Sequence, residues 1–163
     1  MTSFSLGPHY RALSGTPRGL RLLCLAYKFP SQTASEPPAA WFRFADENLA
    51  VAEREMATDS PAYHTVCFLC QGASEKYLKG YLIAQGWDLE KTHDLVALLT
   101  RCADHEERFA ALREGGAVLN EYIVAGRYPG DVAHEEIGAA EAEEAVAITR
   151  RIKDVVRSER DED

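Results

Sequence analysis

The sequence predicts an all-α fold: an up-and-down bundle of four to five antiparallel helices forming a single domain behind a disordered N-terminal leader. Three observations predict it. From Trp41 onward, apolar residues recur at helical spacing almost without interruption. Short segments containing Gly, Pro or Ser separate these stretches, which favours antiparallel neighbours. No sustained alternation of apolar and polar residues indicates a β-strand.

Residues 1–40 differ from the rest of the chain. They are rich in Pro, Gly and Ser, show no sustained period and end near Pro37 and Pro38. We expect a disordered leader, or a non-native one that results from a start codon assigned too far upstream. The predicted helical domain spans 41–157, and 158–163 form a charged tail.

The first two helices are predicted from their apolar faces and their ends. Helix one spans about 41–58, and helix two about 61–85. The face of helix one is formed by Trp41, Ala45, Leu49, Ala52 and Met56. Ser60 is the predicted N-cap of helix two, with Pro61 at its first position. Gly86 is expected to end it.

The last three helices are predicted at about 93–103, 105–126 and 138–157. Thr92 is the expected N-cap of the first of these, and Asp94 lies in its first turn. Gly115 and Gly116 weaken the next helix by about 1 kcal/mol each relative to Ala. We therefore expect another helix to approach closely at this pair, with a kink as the alternative.

Charge and hydropathy exclude several classes of protein. The formal net charge is −8, and residues 41–163 hold 14 basic and 25 acidic residues, a net charge of −11. A domain this acidic is not a general nucleic-acid binder, so DNA is not an expected partner and any RNA contact is local. No apolar run is long enough to span a membrane or to form a secretory signal. We expect a cytoplasmic protein.

Cysteine spacing raises the question of a redox or metal site. Cys67 and Cys70 form a Cys-x-x-Cys pair, and Cys24 and Cys102 stand alone. The pair lies mid-helix among apolar residues, without a second pair or a His at ligand spacing. We interpret these cysteines as core residues, and we expect neither a metal nor a cofactor.

Three short blocks occur in order along the predicted helices. They read CFLCQGASEKYLKGYL at 67–82, KTHDL at 91–95 followed by two leucines at 98–99, and YIVAGRYP at 122–129. Together these blocks resemble the HEPN domain family over about 41–157. The helix-two pattern of that family is Cys-Phe-x-x-Gln-Gln-Ala-x-Glu-Lys-x-Leu-Lys. This chain carries Gly72 at the second Gln position.

The resemblance implies a bundle of four or five helices that forms a homodimer. Members are often encoded beside a minimal nucleotidyltransferase, as a toxin–antitoxin or nucleotide-handling pair, and the Arg-Tyr-Pro sequence is similar to that branch. Other members are metal-independent endoribonucleases with an Arg, four to six residues, and then a His. Arg127 and His134 match this spacing at its upper limit, with Tyr128 after the Arg instead of Asn, Asp or His.

The chemistry of Arg127 and His134 agrees with either role. Arg binds phosphate through two parallel hydrogen bonds, and His exchanges protons near neutral pH. The two could therefore cleave a phosphodiester without a metal, as candidate catalytic residues. Alternatively, Arg127 pairs with Asp131 or Glu135 and holds the loop, and His134 is an exposed loop residue.

Four further residues are candidates for binding a nucleotide or a partner: Lys76, Lys79, His93 and Tyr128. The alternative for the two lysines is a solvated charged stripe on helix two, and the alternative for His93 is a capping or hydrogen-bonding role. We predict a homodimeric module that associates with a nucleotidyltransferase or a nucleotide. Two alternatives stay open, an endoribonuclease toxin acting on RNA and a structural dimerisation scaffold.

Overall fold

The computed structural model describes residues 36–125 and 137–161, and all regular structure within these two ranges is helical. The α-helices there are α1 (Pro38–Met56), α2 (Tyr63–Ala84), α3 (Leu95–Ala103), α4 (Arg113–Ala125) and α5 (Ala139–Asp161), with a 3₁₀ helix (Glu107–Leu112) between α3 and α4. The predicted all-α fold is confirmed. The predicted leader lies almost wholly outside the described residues.

Helices α1 and α2 form an antiparallel pair. The apolar face of α1 is buried through Phe42, Ala45, Leu49 and Ala52. Trp41 and Phe42 pack so closely over α2 that a Cβ at Gly80 would lie 2.8 Å from Phe42 Cε1. The position of Gly80 on α2 therefore requires a residue without a side chain.

The predicted N-cap of α2 is wrong. The helix begins at Tyr63, and neither Ser60 nor Pro61 occupies its first turn. Glu55 of α1 instead accepts a hydrogen bond from the backbone N–H of Ala62, at 2.9 Å. The acceptor comes from the preceding helix, so a local cap is not needed.

The C-terminus of α2 forms as predicted. Gly86 has φ +85°, a conformation that favours glycine. Its N–H donates to Ile83 O, and the N–H of Trp87 donates to Leu82 O, at 3.0 and 2.9 Å. These two bonds form a Schellman motif that ends the helix.

Helix α3 runs in the same direction as α2, which breaks the strict alternation of an up-and-down bundle. Gln71 on α2 bonds to His93 just before α3, and Leu78 on α2 faces Cys102 near the end of α3. This direction follows from residues 87–94, which have no regular structure and carry the chain back along α2. We call residues 87–94 the return segment.

The N-cap of α3 is Asp94, not Thr92. The Asp94 carboxylate accepts from the N–H groups of Val96 and Ala97 at 2.9 and 3.3 Å. Thr92 Oγ1 accepts instead from the N–H of Asp94. The helix therefore begins at Leu95, two residues later than predicted.

The predicted helix over 105–126 is divided in two. Glu106 is extended, with φ −142° and ψ 112°, and its side chain accepts from the N–H of Arg108. The following turns are 3₁₀ and bury Phe109 against Tyr81, with ring centroids 4.8 Å apart. Regular α4 begins only at Arg113.

The close approach predicted at the glycine pair is confirmed. A Cβ at Gly116 would lie 2.5 Å from Leu99 Cδ1, and a Cβ at Gly115 would lie 2.9 Å from Ile148 Cγ2. Helix α4 is thus packed between α3 and α5. Larger residues at either position would force these helices apart.

The described cysteines are core residues, as predicted. Cys67, Cys70 and Cys102 are fully buried free thiols. Burial raises the pKa of Cys67 to about 12 and that of Cys70 to about 11. Cys24 lies outside the described residues. Among the helices that the structure describes, none is both long and apolar enough to cross a bilayer.

Candidate functional site

Three titratable side chains form a connected cluster on the outer side of α2. The Glu75 carboxylate accepts from Lys79 Nζ at 2.6 Å through one oxygen, and its other oxygen lies 3.0 Å from His93 Nδ1. Glu75 and Lys79 are one helical turn apart, whereas His93 is 18 residues further along the chain. We call these three residues the Glu75 cluster.

The return segment brings His93 to this position. Gln71 lies one turn before Glu75 and is buried, and its side-chain amide donates to His93 O at 3.1 Å. Asn120 of α4 accepts from the N–H of Leu95 and donates to Asp94, which fixes the residues that follow His93. The backbone at His93 is therefore held from both sides.

The exposure of the three side chains in the cluster increases from Lys79 through Glu75 to His93. The side chain of Lys79 is 5 % exposed, that of Glu75 13 %, and that of His93 77 %. The Lys79 ammonium also lies 5.9 Å from the ring centre of Trp41. An imidazole at the surface is thus supported by a carboxylate and, below it, by a buried ammonium.

The carboxylate of this cluster keeps its charge. Burial acts to raise the pKa of Glu75, but the hydrogen bonds from Lys79 and His93 oppose burial, and the net effect lowers the pKa. An ionised Glu75 can only accept a hydrogen bond, so Nδ1 of the neutral His93 imidazole carries the proton and donates it in that bond. Its Nε2 is then the nitrogen that faces a ligand.

The expectation of a solvated lysine stripe is wrong for Lys79. That side chain is buried and its charge is neutralised by Glu75. The i and i+4 spacing places the two groups in contact, and the ring of Trp41 from α1 lies 5.9 Å from the ammonium. Lys79 supports Glu75 and is not placed to touch a ligand directly.

Lys76 occupies a different environment. It is half-buried, and its ammonium donates to Gly72 O at 3.0 Å. Burial lowers its pKa, partly offset by Glu75. Lys76 is therefore the lysine of the predicted pair that remains partly accessible.

The other predicted site residues fall in the part of the chain that is not described. Arg127, Tyr128 and His134 lie between Ala125, the last residue of α4, and residue 137. Their predicted roles remain predictions.

Sequence reasoning missed three members of the site. Glu75, Gln71 and Asn120 are not among the candidates that the sequence indicates. The i, i+4 spacing of Glu75 and Lys79 was visible and indicates an ion pair. The partnership with His93 depends on the return segment and has no local signal.

The site shows no basis for a metal. Within residues 36–125 and 137–161, no three His, Cys, Asp or Glu residues are grouped so that they could hold a metal ion. The Glu75 cluster offers one carboxylate, already occupied by two donors. Its chemistry is that of a positioned imidazole.

Comparisons with known proteins agree with the fold. The HEPN domain profile matches residues 39–159. The crystal structure of TT1696 from Thermus thermophilus is similar with a TM-score of 0.63 and 27 % identity, over 74 % of this chain and 96 % of that chain. ST0689, described as an archaeal HEPN homologue, has a TM-score of 0.62 and 22 % identity, over 77 % and 98 %. No curated protein sequence matches significantly.

Proposed function

Because the chain belongs to the HEPN domain family, we propose that it is a homodimeric binding and regulatory module that associates with a nucleotidyltransferase or its nucleotide in the cytoplasm. The pairing would act as a toxin–antitoxin or nucleotide-handling complex. The Arg-Tyr-Pro sequence at 127–129 supports this branch of the family.

The observation that carries the proposal is the Glu75 cluster. A surface imidazole is hydrogen-bonded to a carboxylate, and a buried lysine holds that carboxylate in turn. Such preorganisation lowers the entropy lost when a ligand binds. The backbone at this imidazole is also fixed, by Gln71 at the His93 carbonyl and by Asn120 at the N–H of Leu95, and a surface residue positioned in this way supports recognition.

Net charge favours a protein or nucleotide partner over a long nucleic acid. Residues 41–163 carry a net charge of −11. A polyanion would be repelled along most of such a surface, whereas a single nucleotide needs only one local cationic site. A partner protein can supply further positive charge.

Co-expression tests the proposal. A nucleotidyltransferase encoded beside this gene is co-expressed with the tagged chain, and the eluate is analysed by size-exclusion chromatography with light scattering. We expect a homodimer alone and a stable complex with the partner. The proposal fails if two results coincide. The first is that no neighbouring nucleotidyltransferase exists or that it forms no complex, and the second is that calorimetry detects no nucleotide binding.

A second candidate function is a metal-independent endoribonuclease, and the spacing of Arg127 and His134 favours it. It requires that the protein cut RNA in EDTA and that His134→Ala abolish cutting without lowering the melting temperature. Exposed His105 provides a matched control, since His105→Ala should leave cutting unchanged. Equal activity of the His134 variant would eliminate this function.

A further inference from the structure

The Glu75 cluster gives the two ring nitrogens of His93 different roles. Nδ1 of His93 is engaged by Glu75, and within the described part of the chain no hydrogen bond reaches Nε2. With 77 % of the side chain exposed, Nε2 is accessible from solvent. The ring thus presents one nitrogen to a ligand while the other is fixed.

Charge indicates what this nitrogen would contact. Glu75 and Lys79 neutralise one another, so a proton on His93 gives the cluster a net charge of +1. Asp94 beside it keeps its negative charge, but its carboxylate is engaged by two backbone N–H groups at the start of α3 and by the amide of Asn120. Lys76, one residue after Glu75, is a further cation on α2, and its ammonium lies against Gly72 O.

We propose that His93 contacts a phosphate group of a nucleotide through Nε2, and that Glu75 is the positioning residue for His93. This inference rests on the proposed function and deepens it. The protonated imidazole donates Nε2–H to a phosphate oxygen and Nδ1–H to Glu75. Lys79 keeps Glu75 ionised and in place, and it does not touch the phosphate.

Two substitutions at His93 distinguish the contributions of its two ring nitrogens. The amide nitrogen of Asn reaches the place of Nδ1, so His93→Asn keeps a donor to Glu75 and loses the group that faces the ligand. The amide of Gln reaches the place of Nε2, so His93→Gln keeps that group and loses the bond to Glu75. Both side chains are uncharged at every working pH.

A paired substitution tests the positioning role without leaving a buried charge. Glu75→Met together with Lys79→Met removes both charges and keeps side-chain length, whereas the Glu75 change alone would strand the buried ammonium. Glu143→Gln, at an exposed residue on α5, is the control for loss of a carboxylate outside the cluster. Circular dichroism and melting temperature show whether each variant folds.

Calorimetry with ATP and inorganic phosphate, and ¹⁵N-histidine NMR, measure the effect. We expect ATP to shift the His93 ring signals, inorganic phosphate to displace ATP, and adenosine to leave the signals unchanged. His93→Asn should weaken ATP binding at least about tenfold, and His93→Gln less. The double Met variant should lose the Nδ1–H tautomer signal and bind ATP about tenfold more weakly, while Glu143→Gln should match the wild type.

The outcomes separate this inference from the proposed function. If wild type binds ATP and His93→Asn binds it equally well, or adenosine shifts the ring as ATP does, the inference is overturned and the function stands. If wild type binds the nucleotidyltransferase but neither ATP nor phosphate, the inference is again overturned alone. If it binds no partner and no nucleotide, the proposed function itself fails.

Discussion

Glu75 joins two distant parts of the chain through one carboxylate. Each of its oxygens accepts one hydrogen bond, one from Lys79 in the same helix and one from His93 at the end of the return segment. Only 13 % of its side chain is exposed, so these bonds are weakly screened by water. The side chain of His93 is therefore tied to α2 through the ionisation of a single group, whereas its backbone is held by the uncharged Gln71.

The first prediction concerns the pH dependence of stability. The folded pKa of Glu75 is lowered, so its contribution is complete above the unfolded value of about 4.3 and is lost as pH falls through the folded value. The melting temperature of wild type should therefore fall faster below about pH 5 than that of the variant carrying Glu75→Met and Lys79→Met. Melting curves between pH 7 and pH 3 measure this, and parallel profiles would contradict it.

The second prediction concerns a buried hydroxyl pair between α2 and α5. Ser74 Oγ donates to Thr149 Oγ1 at 3.1 Å, and Thr149 Oγ1 lies within hydrogen-bond distance of two backbone carbonyls. Thr149→Val should cost about 1–3 kcal/mol of unfolding free energy, because Ser74 loses its acceptor.

A double-mutant cycle in urea isolates this pair. Ser74→Ala removes the second hydroxyl, so the double variant should cost less than the sum of the single ones, by about 0.5–1.5 kcal/mol. Both side chains are fully buried, which excludes water as a replacement. Additive costs would show that the two hydroxyls do not stabilise each other.

Residue types and spacing indicated part of the site. Lys76, Lys79 and His93 were all singled out from the sequence, and His93 and Lys79 prove to be two ends of one cluster. Their separate roles could not be predicted, because Lys79 is buried beside Trp41 of another helix and His93 reaches Glu75 only through the path of the return segment. No local pattern shows that Glu75 bridges 18 residues.

At the scale of elements, the head of α3 is held by Asp94, which gives the third prediction. Its carboxylate accepts from Val96 and Ala97 and from the Asn120 amide. Asp94→Ala should lower the unfolding free energy by about 1–2 kcal/mol, since a cap and a tie to α4 are both lost. Asp94→Asn keeps the acceptor oxygen and should cost less in chemical denaturation. Equal costs would indicate that charge, and not capping, is what Asp94 contributes.

The fourth prediction tests the contact between α3 and α4. Gly116→Ala gains about 1 kcal/mol in helix propensity, but its Cβ would lie 2.5 Å from buried Leu99, and overpacking costs about 1–3 kcal/mol. We expect net destabilisation of about 1 kcal/mol in urea.

Leu99→Val removes the atom that would clash and provides the control. In that background Gly116→Ala should become neutral or stabilising, because only the propensity gain remains. Destabilisation of the same size in both backgrounds would mean that close packing is not the reason for Gly116.

Helices were predicted well where apolar residues recur at helical spacing. Helix ends were predicted poorly where the hydrogen-bond partner comes from another part of the chain. All five α-helices occur near their predicted places, and Gly86 ends α2 as expected. The start of α2 was misplaced because Glu55 of another helix supplies the acceptor. The 3₁₀ helix was missed because packing of Phe109 on Tyr81 selects it, which apolar spacing alone does not show.

At the scale of the whole molecule, the return segment decides the arrangement. By carrying the chain back along α2, it makes α3 run in the same direction as α2 and places His93 beside Glu75. An α-hairpin with a short loop would put the start of α3 near the end of α2 instead. The same eight-residue stretch thus determines both the direction of α3 and the position of the imidazole of the Glu75 cluster.

The last prediction uses the buried thiols to report on opening of the whole bundle. Cys67, Cys70 and Cys102 are fully buried, and burial raises the pKa of each, so little reactive thiolate forms in the folded state. In a Cys24→Ser background, we expect a thiol reagent at pH 8 to modify none of them quickly in native protein and all three in denaturant.

In native conditions the rate of thiol modification should be proportional to the unfolded fraction. The three thiols lie on two helices of one core, so unfolding exposes them together. Mass spectrometry counts the modified thiols over time. Gly116→Ala, which destabilises without touching a cysteine, should speed modification of all three by the same factor, about fivefold for 1 kcal/mol. Faster reaction of Cys102 alone would instead show that α3 opens independently of α2, and that the return segment does not couple them.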